Sequence, residues 1–266
     1  MSQPAANRWA DLRPRVLSAI AMVVLGAAAI WQGGMIFAEL AIICCGLMMW
    51  ELARMTRGPG FDASILLGIL AVVVLTMNVV STSSWVLPLI LLPIVVGLVA
   101  PRRDAAVFVG YALVILATGW ALVVLRHSLG VGPLLWLLAV VVASDVMGYF
   151  AGRILGGPKF WPKISPKKTW SGTIAGWFGA AAVGAAFWHW GQGPQALIWV
   201  SPLIAFAGQL GDIAESAIKR RAGAKDSSSL IPGHGGLMDR FDALAFAAIL
   251  AVILIPALGL FPPVGG

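Results

Sequence analysis

The stretch Ser216-Ala-Ile-Lys-Arg-Arg-Ala-Gly-Ala-Lys-Asp-Ser-Ser-Ser-Leu-Ile-Pro-Gly-His-Gly-Gly-Leu-Met-Asp-Arg-Phe-Asp242 is dense in charge. It carries Lys219, Arg220, Arg221, Lys225 and Arg240 beside Asp226, Asp239, Asp242 and His234, and long apolar runs flank it on both sides. Ionisable side chains are costly near hydrocarbon, so a charged segment strung between two such runs is a functional candidate by default. Lysine and arginine suit phosphate oxygens, and carboxylates suit a hard divalent cation. The first reading is a site at a membrane surface that holds a nucleotide by its phosphates and a metal.

Working outward, 60% of the 266 residues are hydrophobic and only 11% are charged. Mean hydropathy is +0.92. A water-soluble domain of this length has too little interior to hide that much apolar surface, so the fold class is an all-α, polytopic membrane protein. Windows of about 17–25 apolar residues span hydrocarbon as helices. About nine transmembrane helices are expected, at roughly 16–32, 35–55, 63–80, 84–100, 105–126, 132–155, 172–190, 194–218 and 238–261. They form a single integral membrane domain over 1–266. Its first five spans (1–130) are the variable half, and spans six to nine (131–266) carry the site.

Charge tests this segmentation. With the N-terminus inside and the sides alternating, seventeen lysines and arginines fall on the inner side and only Arg126 falls outside. Loops 156–171 and 219–237 then share the cytoplasmic side. The formal charge of +7 fits such loops and anionic lipid. No basic stripe interleaved with aromatics marks a nucleic-acid partner. Adjacent Cys44 and Cys45 in an apolar run give neither a disulfide framework nor a metal spacing. Residues 1–15 are polar and basic, and a first span follows them rather than a cleavable signal.

Asp212, Glu215, Ser216 and Lys219 stand at i, i+3, i+4 and i+7, on one helical face. Asp239 and Asp242 open the next span. If the loop between folds back, carboxylates from both helix ends converge as a magnesium site requires. The same spacing also fits ion pairs at the membrane border, with Lys219 or Arg240 as partners. Asp145 lies inside an apolar segment and needs a polar cavity or a partner, whether as metal ligand, substrate contact or mate of Arg153. In the loop after it, Ser165, Lys167, Lys168 and Thr169 offer donors for phosphate, though such a loop can equally attract anionic lipid. His234 sits among glycines that permit close backbone approach to a ligand. No Walker loop is present. Gly172, Gly176, Gly179, Ala180 and Gly184 fit close helix packing better than ligand contact.

These residues resemble the signature of the phosphatidate cytidylyltransferases, or CDP-diacylglycerol synthases. The match runs through Ser216, Lys219, Arg220, Lys225, Asp226, Pro232, His234, Gly235, Gly236, Asp239, Arg240 and Asp242. The segments Ser165-Pro-Lys-Lys-Thr-Trp-Ser-Gly172 and Asp145-x-x-x-Tyr149-x-x-Gly152-Arg153 look like the family too, so the likeness covers about 140–245. It implies CMP transfer from CTP to phosphatidate, giving CDP-diacylglycerol and pyrophosphate, with Mg2+ and a second, monovalent cation such as K+. It implies metal ligands at Asp212 and Asp239, and Asp145 is added as a third candidate. Ser165, Lys167, Lys168, Thr169, Ser216 and Arg240 are expected on substrate phosphates. Lys219, Arg220, Lys225, Asp226, His234 and Asp242 are expected around the reacting groups. The expected partners are CTP, phosphatidate and membrane lipids, with a homodimer left open. The expected place is a bacterial inner membrane, with the site facing the cytoplasm. The rivals are a CTP-dependent lipid-alcohol kinase and a cation transporter. A CDP-alcohol phosphotransferase is disfavoured, because the DGxxAR start of its motif is missing.

Overall fold

A computed structural model describes residues 12–81 and 83–261 of the chain. Apolar runs become helices because, in lipid, only a helix satisfies its own backbone polar groups along a single segment. In chain order they are α1 (Leu12–Gln32), α2 (Gly34–Met55), α3 (Ser64–Val80), α4 (Leu92–Val99), α5 (Ala105–Ser128) and α6 (Val131–Ile154). They continue with α7 (Trp170–His189), α8 (Leu197–Ala222) and α9 (Met238–Leu258). Six of these (α1, α2, α5, α6, α8 and α9) are long and apolar enough to cross a membrane; α3 is shorter. The chain is an all-α polytopic membrane protein.

Three details differ from the pattern read in the sequence. The fourth span begins as a 3-10 helix, Ser84–Leu91, and turns α-helical only at Leu92. Pro88 and Pro93 each remove a backbone donor there, which weakens a regular ladder. The eighth helix runs on to Ala222, so Lys219, Arg220 and Arg221 are helical, and Gly223 ends it in the left-handed conformation (φ 70°). The loop before α7 holds a small antiparallel hairpin, β1 (Lys159–Trp161) and β2 (Ser165–Thr169), which pairs Lys159 with Thr169 and Trp161 with Ser165. Pro166 is tolerated because a two-stranded ribbon has a free edge.

Without a hydrophobic force between helices in lipid, close backbone packing must hold them together. Helix α7 supplies it with small residues. Gly172 lies against Gly148 of α6, Gly176 against Ser144, Gly179 against Ala143, and Gly184 against Leu197 and Ser201 of α8. The packing role expected of these glycines is the one the structure gives them. Gly208 and Gly211 of α8 bring that helix onto the backbone of Ala243 and Asp242 in α9. A side chain at Gly211 would strike the Asp242 carbonyl.

One apolar cluster joins α5, α6, α8 and α9, and a second joins α2, α3 and α5. At the far end of the bundle, fully buried Trp136 donates its indole N–H to Ser201 Oγ at 2.9 Å, and its ring stacks on Phe261 with centroids 5.8 Å apart. Ser201 Oγ donates in turn to the Leu197 carbonyl at 2.7 Å. At the opposite end, Arg221 of α8 reaches Asp104 at 2.8 Å, and Asp104 also caps α5 by accepting the Val107 N–H. Those two hydrogen bonds hold the Asp104 carboxyl below the usual carboxylate range. Arg102 donates to Ala53, and Ser18 of α1 donates to the Pro232 carbonyl, so the 100–104 and 223–237 loops gather at this end.

Candidate functional site

Between α6, β2, α7, α8 and α9 lies a cavity of about 540 Å3. Asp145, Tyr149 and Arg153 line it from α6, Lys167, Lys168 and Thr169 from β2, Thr173 from α7, Gln209 and Asp212 from α8, and Asp239, Arg240 and Asp242 from α9. Expected metal ligands Asp212, Asp239 and Asp145 thus share one cavity with expected phosphate binders Lys167, Lys168, Thr169 and Arg240.

The carboxylates are arranged by the α8–α9 contact. Because glycines let the helices touch, Asp212 and Glu215 face Asp242, and one oxygen from each lies within 4.8 Å of the others. Glu215 is completely buried, and its Oε1 has no hydrogen-bond partner among the described residues. Lys219 Nζ sits 2.6 Å from Glu215 Oε2 as an ion pair. Oε2 is thus ion-paired and only Oε1 is left with no partner at all, and an orphaned buried carboxylate oxygen is expensive. An all-oxygen set with such an atom fits a hard metal cation.

Asp239 is positioned differently. Its Oδ2 accepts the Ser227 N–H (2.9 Å), the Ser227 hydroxyl (3.0 Å) and the Gly236 N–H (2.8 Å), while Oδ1 takes Lys219 Nζ at 2.6 Å. It therefore ties the glycine-rich loop to α8. Of the border ion pairs that the spacing also allowed, Glu215–Lys219 is present, and Asp239 pairs with the same Lys219 rather than with an arginine. Ser216 supports Asp212 by donating to Oδ1 at 3.4 Å.

Lys168 is aimed by the hairpin. Its ammonium lies 2.5 Å from Asp212 Oδ2 and donates to the Gln209 carbonyl at 3.3 Å. Thr169 follows as the cap of α7, accepting the Gly172 N–H at 3.2 Å, and this fixes the neighbouring lysine against the α7 start. Gln209, one turn before Asp212, donates to Ser144 Oγ and to the Thr173 carbonyl and accepts from Trp177. It pins α6, α7 and α8 together behind the cavity. Arg153 donates to the Tyr149 hydroxyl at 2.7 Å on the rim, leaving Asp145 without a salt bridge to it.

Other expected residues do not line this cavity. Arg220, Lys225 and Asp226 are exposed beyond it, and Ser165 sits at the start of β2. His234 turns outward, its Nδ1 2.8 Å from Ser18 Oγ of α1.

Glu51 escaped the sequence reading. It is fully buried in α2, and its Oε1 accepts from the Ser228 hydroxyl and the Leu237 N–H at 2.6 and 2.9 Å. Oε2 accepts from the Ser227 hydroxyl and the Met238 N–H at 3.0 and 2.7 Å. A carboxylate from the first half thus caps α9 and fastens the loop that holds Asp239. The signal was available, because the rule that singled out Asp145 within an apolar run applies equally to Glu51 in Met49-Trp-Glu-Leu-Ala53.

A sequence model of the cytidylyltransferase family matches residues 13–258. The phosphatidate cytidylyltransferase of Brucella abortus biovar 1 (strain 9-941) is 36% identical over 258 residues, covering 90% of this chain and 92% of that protein. The protein of that name from Brucella melitensis biotype 1 is 35% identical over the same length. The one from Staphylococcus aureus (strain COL) is 39% identical over 132 residues, or 48% of this chain and 51% of that protein.

Proposed function

The chain belongs to the cytidylyltransferase family, and from that premise we propose that it transfers CMP from CTP to phosphatidate, releasing pyrophosphate and leaving CDP-diacylglycerol in the membrane. A phosphatidate oxygen forms a bond to the α-phosphorus of CTP, and the bond from that phosphorus toward the β-phosphate breaks. The observation that carries this reading is the shared cavity, in which Asp212 and Asp242, with Glu215 buried close behind them, meet Lys167, Lys168, Arg153 and Arg240.

The chemistry asks little of a general base. A phosphate monoester has a second pKa near 6, so phosphatidate is largely a charged nucleophile at neutral pH. The obstacle is repulsion between two anions, together with the charge that grows on the departing pyrophosphate. Fixed cations aimed into a cavity offset both without reorganising during the reaction. Lys168, steadied by Asp212 and Gln209, and Lys167 beside it are assigned to the triphosphate. Arg153 and Arg240 on the rim are assigned to the lipid phosphate. Exposed Arg220 and Lys225 guide the incoming nucleotide.

Asp212, Asp242 and Glu215 are the residues that would hold Mg2+. Asp145 and, once Lys219 moves to a phosphate, Asp239 are left for a second cation. When bound, the divalent ion would supply Lewis-acid neutralisation of the triphosphate oxygens. The site end of the bundle is assigned to the cytoplasmic side of a bacterial inner membrane, where soluble nucleotide is found and where the basic loops belong.

The deciding assay supplies membranes with α-32P-CTP and phosphatidate, then γ-32P-CTP in parallel. Label entering the chloroform phase from the α-position alone supports cytidylyl transfer. Label from the γ-position identifies a kinase, and label from neither refutes both enzymes.

A further inference from the structure

The loop that holds Asp239 has a second face, turned away from the catalytic cavity. There Ser227, Ser228 and Ser229 meet Arg54, Arg57, Arg102 and Arg103 around another cavity, of about 810 Å3. Arg102 is tied inward, donating to the Gly97 and Ala53 carbonyls at 2.8 and 3.0 Å, and Arg57 pairs with Asp62 at 2.7 Å. Arg54 and Arg103 are exposed, and among the described residues neither has a carboxylate partner. The Arg54 guanidinium lies over the Trp50 ring, 5.0 Å from its centroid. The Ser227 and Ser228 hydroxyls donate inward to Asp239 and Glu51, so the two cations and the exposed Ser229 hydroxyl are what form a receptor for phosphate.

Along the same face of α2 the surface turns apolar. Ile43, Leu47, Trp50, Ile65, Ile69 and the loop's own Leu230 line a groove of about 350 Å3 between α2 and α3. Trp50 and Arg54 are one helical turn apart, so the groove leads into the arginine cavity. From Ile43 to Arg54 the helix rises about 16 Å. That is close to one leaflet of a hydrocarbon core ~30 Å thick. A free anion would use only the upper part of this surface, whereas a phospholipid matches both parts in the right order.

We infer that the groove and the arginine cavity form one site for an anionic glycerophospholipid, separate from the substrate cavity. An acyl chain lies between α2 and α3, and the lipid phosphate sits between Arg54, Arg103 and the Ser229 hydroxyl. Ser227 binds Asp239 on the inner face, and Leu230 lines the groove on the outer face of the same loop. The bound lipid therefore braces the loop, and anionic lipid raises turnover. This inference rests on the membrane reading of the fold and not on cytidylyl transfer.

The test is native mass spectrometry of the purified full chain, titrated with phosphatidylglycerol or phosphatidylcholine. Wild type is compared with the double variant Arg54→Gln/Arg103→Gln and with Ile69→Trp, which fills the groove. All three positions are exposed, so the fold tolerates the changes. Wild type should retain phosphatidylglycerol about tenfold better than phosphatidylcholine, and the double variant should lose that preference. Ile69→Trp should weaken both lipids. Both variants should keep wild-type turnover in phosphatidylcholine and fail to gain from added phosphatidylglycerol. Equal phosphatidylglycerol retention by wild type and the double variant overturns the site. So does inorganic pyrophosphate bound equally by wild type and Ile69→Trp with no lipid preference, the result expected of a free-anion pocket. Retention is read without turnover, so an inactive protein still answers the question.

Discussion

Glu51 and Met238 are 187 residues apart in sequence, yet the Glu51 carboxylate accepts the Met238 N–H at 2.7 Å. The contact joins the C-terminal end of the second helix to the first turn of the last one. Replacing Glu51 by Gln puts an amide nitrogen where only acceptors fit and leaves a buried backbone donor unpaired. A loss of about 1–3 kcal/mol of stability is expected. Turnover should fall with it, because Ser227 and Asp239 lose their anchor. Thermal unfolding in detergent and CMP transfer, measured on the same preparation, check both effects.

The carboxylate trio predicts a shared phenotype. Asp212→Asn, Glu215→Gln and Asp242→Asn should each lower kcat by about 10²–10³-fold while the protein remains membrane-inserted. Glu215→Gln is the sharpest of the three, since Glu215 is closed off from solvent and does not line the cavity, so only a role in holding a cation would make its loss felt in turnover. Near-wild-type turnover in purified Glu215→Gln would remove it from the ligand set.

Metal removal separates binding from folding. EDTA should abolish label transfer, and added Mg2+ should restore it. If the carboxylate trio holds the ion only when folded, Mg2+ at about 100 times its Kd should also stabilise the protein by about 2.7 kcal/mol. The unfolding midpoint of Asp242→Asn should respond far less to Mg2+ than that of wild type.

Lys168 should matter through the nucleotide. Lys168→Met removes a charge-assisted contact, and kcat/KM for CTP should drop by roughly 10–100-fold. Lys168→Arg keeps the charge but not the compact ammonium geometry, so partial activity is expected. Initial rates across CTP concentrations at fixed phosphatidate distinguish the two variants.

Helix proximity yields a further prediction. Gly211→Ala places a methyl against the Asp242 backbone carbonyl, which cannot swing aside as a side chain can. Overpacking of this kind costs about 1–3 kcal/mol and should spread the carboxylates apart. Activity should fall more than stability does, with a raised Mg2+ requirement as the signature.

The helices were legible because each apolar run is long and is broken by glycine, proline or charge, so span positions follow from composition alone. The Asp212–Glu215–Ser216–Lys219 face was legible for the same reason, since helical spacing fixes which residues share a side. The β1–β2 hairpin was not, because three- and five-residue strands carrying Pro166 leave no alternating pattern. Nor was the loop's attachment to Glu51, because pairings between distant helices depend on how the helices pack. The outward turn of His234 toward Ser18 belongs to the same class. Its glycine surroundings announce a tight turn but not the direction of the ring.

Trp136, Ser201, Leu197 and Phe261 stopper the end of the bundle remote from the carboxylates. This stopper insulates. It lets a bundle keep buried carboxylates such as Glu51 and Glu215 without becoming a leak that would dissipate the gradients a cell stores across its bilayer.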